Sequence, residues 1–248
     1  MTMHGLARAA ATVSALCFAS AGAAQTSWPE KPVKLIVSIA AGSVTDVVMR
    51  FAANELQPRL GQPFVIENKG GASGVLAAQS CAAAPPDGYT LCVVYHSTMS
   101  YNPLLFNKLP YDADKDFAPI ARLFFLVEGM AVSNASGVRS VADLAQKAKA
   151  DSSKLNFGTL GQGSFPELVL KWLNNKWGAD IAAVPFRGGG PIAQAIAAGD
   201  LQIGNMGLGN FVSLAQAGQM KLIAVMSPKR SALVPDVPTF AEAGVGDF

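Results

Sequence analysis

An apolar run that breaks at a glycine and restarts as a helix is the feature that most restricts this chain, because it recurs. Residues 33–39 form a continuous apolar run, the kind of strand buried on both faces of a parallel sheet. The run ends in Ala40-Ala41-Gly42-Ser43, and residues 45–60 follow with Val47, Val48, Phe51 and Leu56 near helical spacing. Strand patterns at 64–67, 90–95, 154–158, 181–186, 201–206 and 221–226 alternate with helical ones at 73–84, 140–150, 164–177, 191–198 and 210–217. Ser140 stands as an N-cap, and Ser164-Phe165-Pro166-Glu167 reads as a capping box. Such βα alternation predicts an α/β fold of open, mostly parallel sheets flanked by helices.

Residues 102–131 break the rhythm. NPLLFNKLPYDADKDF is rich in turn residues, and ARLFFLVEGMAV is then one long apolar run. A long strand there would cross from one lobe to another, and the strand at 221–226 would carry the chain back. Two crossings place a cleft between two α/β lobes, a favoured position for a ligand. The expected organisation is a leader at 1–24, a first lobe at 25–125, a second at 126–222 and an incomplete return segment at 223–248.

Three glycine turns open helices in this scheme: Gly42-Ser43, Gly161-Gln162-Gly163 and Gly188-Gly189-Gly190. At the carboxyl ends of parallel strands, free N–H groups and a positive helix end favour an anion. None is a P-loop or a dinucleotide fingerprint, and neither of the first two holds Lys or Arg. Backbone and hydroxyl donors without a cation suit one small carboxylate better than a polyphosphate. Taken singly, such a turn is more often just a turn, and Asp46 reads as an acid placed to favour a helix start; three in succession across two lobes point to a ligand.

Charge and rare residues exclude several classes. A formal charge of +2 without a basic stripe argues against a nucleic-acid binder. Residues 1–24, with Arg8, an apolar stretch and Ala21-Gly22-Ala23-Ala24, read as an export signal, so a periplasmic location is expected. Beyond it stand one histidine, His96, and two cysteines, too few for a usual zinc site. His96 has no Gly-x-Ser-x-Gly elbow to serve and reads as a polar lining residue, so no catalysis and no cofactor are expected. Cys81 and Cys92 could face each other across the Pro85-Pro86-Asp87-Gly88 turn, but the expectation is two buried thiols.

WPEKPVKLIV, AAGSVTD, PDGYTL, KLPYDADKDFAPIA, LNFGTLGQGS, PFRGGG and LVPDVPTFAEAG occur in the order seen in one family. From Trp28 onward the chain resembles the tripartite tricarboxylate transporter substrate-binding proteins, the Bug receptors. The resemblance implies a two-lobed periplasmic binding protein of type II, a monomer that closes on a small mono- or dicarboxylate and serves a membrane permease. It carries ligand contacts onto Ala41, Gly42, Ser43, Thr45 and Asp46, and onto Thr159, Gly161, Gln162, Gly163 and Ser164. Ser97 and Thr98, Gly188 and Gly189, and Met206 complete the implied set. A sensor partner instead of a permease, or a shortened remnant without function, are the alternatives. Ser43 stands where the family has a second glycine, which implies strain or a reshaped loop. Met206 stands where the family has an acid, which disfavours ligands bearing an ammonium group. Relatives also continue past TFAEAGVGDF, so exposed apolar surface on the first lobe is expected.

Overall fold

A computed structural model describes residues 28–246. The expected export signal lies outside the described residues. The first lobe is built on a three-stranded parallel sheet in the order β2-β1-β3, from β1 (Val33–Val37), β2 (Phe64–Asn68) and β3 (Thr90–Val93). Helices α1 (Val44–Leu60) and α2 (Val75–Ala82) make its crossovers, and a short α3 (Asn102–Leu105) follows β3. The central strand β1 buries Val33, Leu35, Ile36 and Val37 and leaves only Lys34 exposed, as its apolar run demands.

The second lobe carries a five-stranded sheet in the order β6-β5-β7-β4-β8. Its strands are β4 (Glu128–Ser133), β5 (Asn156–Thr159), β6 (Ala182–Pro185), β7 (Ile203–Gly207) and β8 (Met220–Met226). Helices α4 (Val141–Asp151), α5 (Phe165–Trp177), α6 (Gly189–Ala198) and α7 (Val212–Gln216) flank it. Strand β4 runs against β7 and β8, so it is the one strand of five in the opposite direction. One face of the sheet packs Met130, Phe157 and Ile203 against Leu144, Val169 and Leu173 of α4 and α5. The other packs Ala131, Met206 and Leu222 against Ile192 and Ile196 of α6.

Three expectations fail here, each for a local reason. The first part of the crossing expected in ARLFFLVEGMAV is not a strand: 121–127 lack regular structure, Leu123 and Phe125 are exposed, and the strand begins only at Glu128, as β4. Its residues have the composition of a strand but no neighbouring strand to pair with. The chain also does not return to the first lobe after β8 within the described residues. The Val225 amide donates to Pro238, the Phe240 amide donates back to Val225, and Phe240 and Val245 are buried in the second lobe's core. Finally, Cys81 and Cys92 are joined as a disulfide, with Cα atoms 6.3 Å apart.

The bridge ties the end of α2 to the middle of β3 and closes a short loop, since the two residues are 11 apart in sequence. In the loop-entropy picture such a closure is worth about 3 kcal/mol. Cys81→Ser with Cys92→Ser should therefore lower unfolding stability by about 2–3 kcal/mol in denaturant titration, and reductant should do the same to the parent protein. The first lobe does expose apolar surface. Phe51, Val65 and Leu76 stand in solvent on or beside the small sheet.

Candidate functional site

The carboxyl ends of both sheets meet. Ala40, after β1, lies where a Cβ on Gly188 of the second lobe would come within 2.8 Å of it. Ser73, in the loop after β2, donates from its hydroxyl to the Gln162 carbonyl of the second lobe. The His96 ring lies 5.0 Å from that of Phe165, the first residue of α5, and Tyr101 stacks on Phe165 at 6.4 Å. These contacts close the cleft along the βα loops, where α/β sheets bind ligands.

Two of those loops are built alike. In the first, Gly42 adopts φ +79°, the Ser43 hydroxyl donates to the Ala40 carbonyl, and Asp46 accepts from the Gly42 amide at 2.9 Å. In the second, Gly163 adopts φ +76°, the Ser164 hydroxyl donates to the Gly161 carbonyl, and Glu167 accepts from the Gly163 amide. A left-handed glycine, a serine folded backward and an acid three residues later thus fix both helix starts. The acid takes the amide before the N-cap, so the expected capping box at Ser164 is shifted by one residue. Ser43 sits at φ −74°, and no strain arises there, because Gly42 carries the left-handed turn.

This architecture sorts the sequence candidates. Asp46 is 2% exposed and also accepts from Arg50 and Asn68, so it holds the loop. Burial alone would raise its pKa, but the Arg50, Gly42 and Asn68 hydrogen bonds outweigh that and hold it below the usual carboxylate range. Ser43 and Ser164 are likewise committed to their own loops. Ala41, Gly42 and Gln162 are exposed at the cleft, Thr45 and Gly161 half-buried, and Gly163, Gly188 and Gly189 buried at loop contacts. Thr159 is buried and accepts from the Gly161 amide. Where Gly42 and Val44 face Gly190 and Gln194 across the lobes, a cavity of about 380 Å³ opens. Met206 is misplaced by the sequence reading. It is buried in the apolar cluster with Ile192, Leu208 and Phe211, because β7 turns that side chain to the α6 face.

The groups left over are informative. The Ser97 and Thr98 hydroxyls, both side-chain polar atoms of Asn205, and one carboxylate oxygen of Glu128 are buried without a hydrogen-bond partner. Ser97, Thr98 and Asn205 are 0% exposed. Such orphans are rare because each costs about 1–3 kcal/mol. Burial pushes the Glu128 pKa up to about 8. Tyr95 is raised as well, by burial and then by the charges of Tyr111 and Glu128. His96, packed against Phe165 and Tyr101, is desolvated and held below its usual value, and so neutral at pH 7.

Sequence reasoning missed Glu128, Asn205 and Ser73. Ser73 and its neighbour Ala72 take left-handed conformations (φ 53° and 47°) that few non-glycine residues adopt. The Gly70-Gly71-Ala72-Ser73-Gly74 run after β2 was the signal available for that loop. A polar residue inside an apolar strand was the signal for Asn205.

Two α/β lobes closed through the loops at their strands' carboxyl ends define a binding protein of the two-lobed periplasmic class. Comparison narrows the class: residues 48–248 match the family described as tripartite tricarboxylate transporter family receptor, and the chain belongs to that family. It is a receptor family, not an enzyme family. A UPF0065 protein of Bordetella bronchiseptica is 35% identical over 245 residues, 98% of this chain and 72% of the relative. MatC from Rhodopseudomonas palustris, solved with bound malate, is 35% identical with a TM-score of 0.82, over 88% of this chain and 74% of that one. Rpa4515 from R. palustris, solved with adipate, is 32% identical with a TM-score of 0.84, over 89% of this chain and 74% of that one.

Proposed function

We propose that this chain captures a small mono- or dicarboxylate between its lobes in the periplasm, as a monomer, and presents it to a membrane permease of the tripartite tricarboxylate type. The observation that carries the reading is the pair of orphaned hydroxyls at Ser97 and Thr98, donors held dry with nothing to donate to. A carboxylate is the group that such donors lack, and an anion needs no cation where hydroxyls and amides are preorganised around it. The exposed Ala41 and Gln162 amides and the half-buried Thr45 hydroxyl would hold the ligand from the two glycine loops, and Asp46 and Glu167 keep those loops in shape. The malate and adipate of the two R. palustris structures support the ligand class. Residues 1–24 would direct export, and among the described residues no helix is long and apolar enough to cross a membrane.

Thermal melts of the purified protein with malate, succinate, adipate and benzoate test this. A true ligand at a hundredfold excess over its Kd should add about 2.7 kcal/mol of stability. Ser97→Ala with Thr98→Val should weaken binding of that ligand at least about tenfold in calorimetry, because two buried donors are gone. The unliganded variant should melt no lower than the parent. A flat midpoint for every carboxylate, or full affinity in the double variant, would overturn the reading.

A further inference from the structure

Strand β4 runs antiparallel, so its first residue lies beside the last residues of its neighbours. Glu128 pairs with Gly207 of β7 and Met226 of β8, at the edge of the sheet that meets the first lobe. Asn205 lies two residues before Gly207 and opposite Met130, so it shares a face of the sheet with Glu128. Thr159 is the next position on β5, since Gly158 pairs with Gly204. The three polar residues therefore stand on one face, at the cleft end of three adjacent strands. In the first lobe, the Tyr95 ring sits against the same Gly74 position as the Thr98 hydroxyl.

Among the described residues Glu128 takes part in no ion pair, and one of its oxygens has no hydrogen-bond partner. Asn205 has none for either of its side-chain atoms. We propose that Glu128 and Asn205 form a subsite for a hydrogen-bond-donating substituent, a hydroxyl or ammonium group, beside the carboxylate of the ligand. The proposal rests on the receptor reading and sharpens its ligand class. A hydroxyl can donate to Glu128 and accept from the Asn205 amide in one place. An ammonium can donate to Glu128 and to the Asn205 carbonyl oxygen. A methylene does neither and leaves all three protein atoms unpaired and dry, which is the situation in which sites discriminate most strongly. The acid that the sequence reading found missing at Met206 is thus supplied by the strand next to it.

The test uses acids that differ only in the substituent on one carbon: succinate, malate and aspartate, and propionate, lactate and alanine, by calorimetry on the full chain. The hydroxyl or ammonium member of at least one set should bind about tenfold or more tighter than its unsubstituted parent. Glu128→Leu should abolish that preference while leaving the parent acid's affinity within about threefold. If the leucine variant does not melt cooperatively, Glu128→Ala carries the same comparison. Parent acids that bind as tightly as their substituted members overturn the subsite and leave the carboxylate receptor standing. So does a preference that survives in the variant. Failure of every acid to bind overturns both.

Discussion

Gly188→Val should leave the protein folded and weaken ligand capture by about 30-fold or more. The position is chosen by what a side chain would meet. The backbone there is extended, at φ 178°, which any residue adopts, so the substitution brings no conformational strain. A Cβ, however, would stand 2.8 Å from the Ala40 Cβ, an atom of the opposite lobe that has no rotamer with which to move aside. The collision exists only when the lobes are together. Overpacking of this kind costs about 1–3 kcal/mol, and here that cost falls on the closed state alone. Calorimetry should show the loss of affinity, and a melt without ligand should show a midpoint close to the parent's. A variant that binds normally would mean that capture does not require this closure. Gly42 answers differently. A Cβ there meets no protein atom within 4 Å, so Gly42→Val brings no collision between the lobes and strains the left-handed backbone instead.

The positions of the elements were legible because their signals are local. Ser140 caps α4 through the Asp143 amide as its sequence context predicts, and the apolar run of β1 is buried along its length but for Lys34. The glycine turns were legible for the same reason, since only glycine sits easily at the φ of +79° that turns β1 into α1. What was not legible is pairing at a distance. The run at 121–127 looks like a strand because β propensity reports side chains, whereas a strand needs a neighbour to pair with. Nor does a strand pattern alone say which of two adjacent residues faces the core. Met206 and Asn205 differ by one position, and the β7 register sends the methionine to the α6 side and the asparagine to the other. Glu128 escaped notice because its place beside Gly207 depends on β4 running against its neighbours, a fact of topology that no local motif carries.

Asn205→Leu should make the empty protein more stable and the receptor less selective. In the parent, the amide is fully buried, with neither its oxygen nor its nitrogen hydrogen-bonded. Leucine keeps the same branched skeleton without polar atoms, so it removes a desolvation penalty of about 1–3 kcal/mol without opening a cavity. Its neighbours on that face, Met130 and Ile203, belong to the apolar core and would accept it. Unfolding free energy without ligand should therefore rise by about 1–3 kcal/mol in denaturant titration. Affinity for the hydroxyl- or ammonium-bearing acid should fall by about tenfold or more, since the group that Asn205 would pair in the complex then faces a methyl group. A purely structural asparagine predicts the reverse pattern, lower stability with binding intact. The two signs separate a residue kept for packing from one kept unpaired until a ligand arrives, and a stability gained together with a function lost is the signature of the second.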